Sequence, residues 1–168
     1  MPNKHDKTSR GNAGQFFVAG ELCRRGLVAV VTLGNTPNTD ILCSNPEGTK
    51  FVHIQVKTFV PGNRTVPVGK KAEKDYEGGN FFWVLAGIPH PDSGKDEEFV
   101  YYIIPSAEVA KNVTEQFSQW KQGVRPDGKK RRSELRTICL PEYVKDGNWS
   151  IEPYKNRWDL IERQLRNE

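Results

Sequence analysis

Three polar residues of different chemical types, Asp40, Gln55 and Lys57, lie within one short stretch, residues 39–58. The stretch has the pattern of a β-hairpin, because two strand-like runs flank an Asn-Pro-Glu-Gly turn. Alternate residues of a strand share a face, so Gln55 and Lys57 point the same way as His53. A tight, symmetric turn places Asp40 across from His53 and diagonal to Gln55, about 7–8 Å away. A carboxylate, an amide and an ammonium then share one surface, which suits them to hard cations and anionic groups.

An amphipathic strand that faces water also carries polar residues at alternate positions. That interpretation accounts for Gln55 and Lys57, but it does not account for an acid at the start of the neighbouring strand. The clustering therefore favours a functional site over a solvated strand.

The order of these residues resembles the PD-(D/E)xK nuclease superfamily, in which an Asp begins one strand, Glu-x-Lys follows on the next, and a preceding helix carries a Glu. The matching residues are Pro37, Asp40, Gln55 and Lys57, with Glu21 in the preceding helix. Two departures are visible. Pro37 lies three residues before Asp40, and Gln55 replaces the Glu, as in some branches that include Mrr-like restriction enzymes. Most of the chain, with its QVKT motif, also resembles a branch of uncharacterised prokaryotic proteins.

The resemblance implies a nuclease that hydrolyses DNA with Mg²⁺ or Mn²⁺, of the restriction, repair or junction-processing type. A divalent metal can activate water, neutralise the phosphate and assist the leaving oxygen. The implied catalytic residues are Asp40, Gln55, Lys57 and Glu21, and the implied metal ligands are Asp40, Gln55, the Val56 carbonyl and Glu21. Lys57 would orient the attacking water or stabilise the pentavalent phosphate.

Two alternatives stay open, because a neutral Gln binds Mg²⁺ more weakly than a carboxylate does. The first is a catalytically inactive module that binds nucleic acid on the same fold. The second is a protein-interaction module whose Trp and Tyr residues contact a partner. Family nucleases often dimerise to cut both DNA strands, so a homodimer is a further possibility.

The elements around the hairpin predict an α/β fold with a restriction-endonuclease-like αβββαβ core, a mixed central sheet flanked by helices. A first helix is predicted over residues 12–25, with Asn12 as its cap. Its predicted apolar stripe comprises Phe16, Ala19, Gly20 and Cys23. The continuous apolar run at 27–33 predicts a strand covered on both faces. The other predicted elements are strands at 81–88, 99–104 and 137–140, a helix at 106–122 capped by Ser106, and a helix at 157–166 capped by Asn156.

The formal net charge is +4 and the pI about 9.0, a mild bias toward polyanions such as DNA. Two basic segments are candidate phosphate contacts, although a solvated loop explains each of them as well. The predicted nucleic-acid-binding residues are Lys70, Lys71, Lys129, Lys130, Arg131 and Arg132.

The length of 168 residues predicts one domain over residues 1–168, with 1–11 as a loose polar tail. No apolar run approaches about 18 residues and the N-terminus lacks a signal sequence, so no membrane association is expected. Three separated cysteines without Cys-x-x-Cys spacing favour reduced thiols in the cytoplasm over disulfides or a zinc site.

Overall fold

A computed structural model of the protein describes residues 7–32, 36–76, 78–92 and 98–166. Within these ranges the strands are β1 (Val28–Val31), β2 (Ile41–Ser44), β3 (Phe51–Phe59), β4 (Thr65–Pro67), β5 (Phe81–Gly87), β6 (Val100–Pro105) and β7 (Thr137–Cys139). The α-helices in the same ranges are α1 (Lys7–Arg24), α2 (Ser106–Gln122) and α3 (Asp159–Leu165). Short 3₁₀ helices lie at Lys70–Glu73, Pro141–Tyr143 and Glu152–Tyr154.

β3 is the central strand of a five-stranded sheet with the order β1-β2-β3-β5-β6. β3 and β5 are parallel, and the other neighbouring pairs of this sheet are antiparallel. Because parallel strands need a crossover, the chain passes from β3 to β5 through β4 and the 3₁₀ helix Lys70–Glu73. β4 also pairs with β7 in a small second sheet, a pairing that the sequence did not predict.

Helices cover both faces of the large sheet. On one face α1 and α3 contribute Leu22 and Ile161 to a core that contains Val56. On the other face α2 contributes Val109 to a core that contains Trp83. The predicted α/β class, with a mixed central sheet flanked by helices, is therefore confirmed. None of the helices in the described ranges is long and apolar enough to cross a membrane.

β3 contributes to both faces because its side chains alternate. Val52, Ile54 and Val56 are buried against α1 and α3. The intervening side chains, His53, Gln55 and Lys57, alternate with these and are only partly buried. β3 therefore has a buried apolar face and a partly solvated polar face.

The first helix differs from its prediction in both start and orientation. α1 begins at Lys7, so the predicted loose tail is wrong for residues 7–11, while residues 1–6 lie outside the described residues. The buried row of the helix runs through Gly14, Val18 and Leu22 at a spacing of four. Phe16, placed in the predicted apolar stripe, is 66% exposed. Packing against β3, rather than the local apolar pattern, determines which face is buried.

The strand predicted at 27–33 is neither as long nor as buried as expected. β1 spans Val28–Val31 and pairs with β2 at the end of the strand order. Val28 is 46% exposed and Val30 is 57% exposed. An edge strand with one solvated face explains this difference, since helices cover the sheet mainly over its central strands. The predicted end at Leu33 lies outside the described residues.

None of the three predicted helix caps is correct, and Asn12 lies inside α1. Asn156 has a positive φ of 53° and its main-chain N–H donates to the Tyr101 carbonyl at 2.7 Å, so α3 begins later, at Asp159. Ser106 is the first residue of α2 rather than its cap. Its hydroxyl donates to Asp75 Oδ1 at 3.2 Å, which joins the helix to the β3–β5 crossover.

Candidate active site

The pairing of β2 with β3 brings Asp40 to Gln55. Ile41 pairs with Ile54, and the main-chain N–H of Asp40 donates to the Ile54 carbonyl at 2.9 Å. Asp40 therefore lies one position beyond the last pair, with its carboxylate hydrogen-bonded to the Gln55 amide. The predicted register, with Asp40 opposite His53, is wrong by two residues, since His53 pairs with Leu42. A shift of two residues keeps every side chain on its face, so the predicted grouping survives and becomes tighter.

The connection between the two strands explains this register. It runs between the paired residues Ser44 and Phe51 and is longer than the predicted four-residue turn. The side chain of Asn45 closes it, because its Oδ1 accepts hydrogen bonds from the main-chain N–H groups of Thr49 at 2.9 Å and Lys50 at 3.0 Å.

One carboxylate oxygen of Asp40 receives two hydrogen bonds from β3. The main-chain N–H of Val56 donates to Oδ2 at 2.7 Å, and Nε2 of Gln55 donates to the same oxygen. No hydrogen bond to Oδ1 is made by the described residues. Asp40 is thus held in one orientation with a second oxygen left for an external ligand.

Asp40, Gln55 and Lys57 line one open cleft of about 400 Å³. Lys57 forms no ion pair within the described residues, although its charge acts on Asp40. The remaining lining residues are Arg10, Gly11, Gln15, Val56, Thr58 and Pro67. The cleft therefore carries one carboxylate, two side-chain amides and two cationic side chains.

Burial raises the pKa of the Asp40 carboxyl above its ordinary value of 3.8. The hydrogen bond from Val56, the charge of Lys57, the hydrogen bond from Gln55 and the charge of Lys71 all lower this pKa. Burial outweighs the four of them. The carboxylate is therefore costly to keep ionised, which is typical of residues that bind a cation or transfer a proton.

A close contact between α1 and β3 forms the wall of the cleft. A Cβ added to Gly14 would overlap Thr58 Oγ1 and would lie 3.1 Å from Thr58 Cβ, so only glycine allows this approach. Residues four apart on a helix share a face, so the face of Gly14 also carries Arg10. Arg10 and Gln15 reach the cleft for this reason.

The sequence did not predict Arg10 or Gln15 as site residues. Arg10 falls in the segment predicted as a loose tail, and Gln15 falls inside the first predicted helix, away from its predicted apolar stripe. The available signal was the spacing of Arg10, Gly11, Gly14 and Gln15, which places two small residues and two polar ones on one helical face. Small residues on one face indicate that the helix approaches another backbone closely.

The predicted placement of Glu21 in the site is corrected by the structure, which does not bring Glu21 into the cleft. It lies six residues after Gln15, which moves it about 9 Å along the helix and about 120° around its axis. Its carboxylate binds Arg24 at 2.7 Å and Arg25 at 2.9 Å. The hydrogen bond from Arg24 is the main cause that lowers the pKa of Glu21. Glu21 therefore stabilises the end of α1.

The six predicted nucleic-acid-binding residues fall into two groups. Lys70 and Lys71 are exposed on the 3₁₀ helix after β4, and the charge of Lys71 acts on Asp40. None of the second group, Lys129, Lys130, Arg131 and Arg132, lines the cleft. Arg131 is engaged in the fold, since its Nη1 donates to the Trp120 carbonyl at 2.9 Å and its guanidinium lies 5.1 Å from the Trp120 ring centroid.

The oxygen donors in the cleft fit a hard cation with one charged ligand. The Asp40 carboxylate and the amides of Gln15 and Gln55 are groups that Mg²⁺ accepts. Among the described residues, no three His, Cys, Asp or Glu side chains are grouped so that they could hold a metal ion. Amide, main-chain and water oxygens would have to complete the coordination. Gln55 directs its NH₂ group at Asp40, and a half-turn of its amide would present the oxygen instead.

No family model and no curated protein sequence matches the chain. Similar folds are found among solved structures. A bacterial homing endonuclease is 17% identical, with a TM-score of 0.50, over 95% of this chain and 94% of that chain. The two proteins share a fold. The predicted restriction-endonuclease-like architecture is confirmed by this match. Hjc, a Holliday junction resolvase from Archaeoglobus fulgidus, is 16% identical, with a TM-score of 0.43, over 79% of this chain and 91% of that chain.

Proposed function

We propose that this protein is a metal-dependent nuclease that hydrolyses DNA phosphodiester bonds in the cleft between α1 and β3. The observation that carries the proposal is the convergence of Asp40, Gln55 and Lys57 on one cleft, with Asp40 Oδ2 bound to the Val56 N–H. The residues come from β3 and from the position that precedes β2, in a fold shared with a homing endonuclease. A solvated amphipathic strand would not need a partly buried carboxylate with a raised pKa.

Lys57 is the candidate for stabilising charge that develops on the phosphate. Its ammonium forms no ion pair within the described residues, so it is available to a phosphate oxygen or to the attacking water. A preorganised cation at such a position raises the rate of cleavage, because it interacts most strongly with the phosphate once negative charge has developed there. Arg10 in the cleft and Lys71 beside it would bind flanking phosphates.

Asp40 is the candidate for holding a divalent metal through Oδ1, with Gln55 and Gln15 as neutral oxygen donors. Bound Mg²⁺ or Mn²⁺ would supply an activated water and neutralise charge on the phosphate. The hydrogen bond from the Val56 N–H holds the carboxylate in position before any ligand arrives, and it remains when the Gln55 amide turns to present its oxygen. A preorganised donor of this kind avoids part of the cost of reorganisation during the reaction.

The decisive experiment compares Asp40→Asn and Lys57→Met with the wild-type chain in DNA cleavage with Mg²⁺, with Mn²⁺ and with EDTA. Both variants should lose at least about 100-fold in the cleavage rate while keeping a cooperative thermal melt. Lys111→Met, which removes an exposed lysine from α2, is the matched control and should cleave like the wild type. Unchanged cleavage by Lys57→Met, or cleavage that persists in EDTA, would contradict the proposal.

A catalytically inactive DNA-binding module is the second candidate, favoured by the single carboxylate in the cleft. It predicts binding that weakens steeply with salt, because each phosphate contact releases counterions. It also predicts that neither metal produces cleavage. Binding without cleavage by the wild-type chain would select this candidate over the nuclease.

A further inference from the structure

A second cleft of about 540 Å³ lies directly beside the candidate active site. It is lined by Thr39, which precedes Asp40, and by His53, which lies two residues before Gln55 on the same face of β3. Two residues of a strand span about 6.7 Å, close to two rises of about 3.4 Å in duplex DNA. A nucleic-acid strand bound at Asp40 would therefore bring a neighbouring nucleotide to this second cleft.

Stacked aromatic rings form one side of the second cleft. The rings of Tyr76 and Phe81 are 4.1 Å apart between centroids and 12° from parallel. His53 lies at 6.5 Å from Phe81 and only 8° from parallel, so the three rings share one orientation. A hydrogen-bond contact of 3.1 Å between His53 Nδ1 and Thr39 Oγ1 holds the histidine ring in place. Aligned flat rings are a platform for stacking another planar ring.

The polar groups of the second cleft match the edge of a base and its phosphate. The side-chain amides of Asn38 and Asn80 form no hydrogen bonds within the described residues, and each offers both a donor and an acceptor. Paired donors and acceptors of this kind recognise base edges. Lys74, with its Nζ 5.2 Å from the Tyr76 ring centroid, provides a positive charge at the same cleft. Asp75, the acidic residue of the lining, accepts a hydrogen bond from Ser106.

We propose that the second cleft binds the base of an unpaired nucleotide within two positions of the phosphodiester bond to be cut. A base inside an intact duplex cannot reach such a pocket without leaving the stack, which costs free energy. DNA with an unpaired base next to the cut is therefore the preferred substrate, ahead of fully paired duplex. This inference rests on the proposed nuclease function and adds the form of DNA on which it acts.

The test uses oligonucleotides with 2-aminopurine at each unpaired position within two nucleotides of a junction between paired and unpaired DNA. Binding is measured with the full chain and Ca²⁺, and the fluorescence of 2-aminopurine reports stacking. We expect quenching at one position and weaker quenching at the others. Tyr76→Leu should abolish that quenching and weaken binding by roughly 5- to 100-fold. Tyr143→Leu, a change at an exposed tyrosine outside this cleft, should leave both unaffected.

A second variant guards against a folding defect in Tyr76→Leu. Asn80→Ala removes only a polar edge contact and should weaken binding to the unpaired substrate while fully paired duplex is bound as before. DNA cleavage or binding that ignores unpaired bases, with no quenching at any position, overturns this inference and leaves the nuclease proposal standing. Absence of both DNA binding and cleavage overturns the two together.

Discussion

Gln55 donates a hydrogen bond from its amide to Asp40 Oδ2, so an uncharged side chain of β3 is held against the carboxylate that precedes β2. The amide satisfies one oxygen of a partly buried acid without adding charge. The arrangement is stable without a cation because a donor, rather than a second acid, faces the carboxylate. A second carboxylate at this position would make stability depend on a bound cation.

Gln55→Glu tests this relationship directly. Without divalent cations, two carboxylates in contact and the loss of a donor should destabilise the fold by about 1–3 kcal/mol. Saturating Mg²⁺ or Mn²⁺ should reverse the loss, because binding to the native state stabilises it. Thermal melts with and without metal measure both effects, and Gln119→Glu on the exposed part of α2 is the control. Equal destabilisation with and without metal would show that no cation binds at this position.

Asp40→Asn should make the metal-free protein more stable at neutral pH. Because the folded pKa of Asp40 is raised, its favourable contribution is complete below 3.8 and is lost as the pH rises through the raised pKa. The asparagine variant does not ionise, so its advantage should be present at pH 7 and should disappear as the pH falls toward 3.8. Urea denaturation across this pH range measures the difference in stability between the variant and the wild type. Asp146→Asn, at an exposed position, is the control. A variant less stable than the wild type at pH 7 would contradict the role of burial.

Gly14→Ala should destabilise the protein by about 1–3 kcal/mol, because the new methyl group overlaps Thr58. Gly20→Ala in the same helix meets no atom within 4 Å and should stabilise by about 0.5–1 kcal/mol. Chemical denaturation of the two variants gives the comparison. Combining Gly14→Ala with Thr58→Ala should recover part of the loss, since Thr58 Oγ1 is buried without a hydrogen-bond partner among the described residues. Additive losses in the double variant would exclude the contact as the cause.

Arg136→Ala should lower the free energy of unfolding by about 3 kcal/mol. This is at the low end of the loss expected when one partner of a buried ion pair is removed, because Glu73 remains partly exposed. Arg136 Nε binds Glu73 Oε1 at 2.7 Å, and its guanidinium lies 3.7 Å from the Phe117 ring centroid. The exposed Arg132, from the same basic segment, is the control, and its change to Ala should stay within about 0.5 kcal/mol. Free energies of unfolding from urea titration separate the two. A small loss at Arg136 would contradict the stabilising role of its ion pair with Glu73.

Most of what could be predicted about the site follows from the alternation of side chains along β3. Gln55 and Lys57 share a face in any strand, and an acid near the start of β2 falls on the same face if the register shift is even. The register itself depended on Asn45, whose side chain closes the turn through Thr49 and Lys50. That contact belongs to the folded turn and has no separate signature in the apolar pattern.

The orientation of α1 could not be predicted from its own residues. Phe16 and Leu22 are both apolar, yet only Leu22 is buried. The deciding contact joins Gly14 to Thr58, far along the chain, and it turns Gln15 rather than Glu21 toward the cleft. Roles for Asp40, Gln55 and Lys57, the DNA partner, the metal and the possible homodimer stay predictions until they are measured.

The position of β3 between β2 and β5 has a consequence for how the protein opens. A strand hydrogen-bonded on both sides exchanges its amide hydrogens only when the whole domain unfolds, whereas an edge strand such as β1 exchanges through local fraying. The amides of His53 and Ile54, which lie where β3 is paired with both neighbours, should be among the slowest to exchange with deuterium, and the Ile54 carbonyl accepts the hydrogen bond from the Asp40 N–H. Loss of the cleft on heating should then coincide with global melting, and mild denaturant should release β1 while the cleft remains assembled.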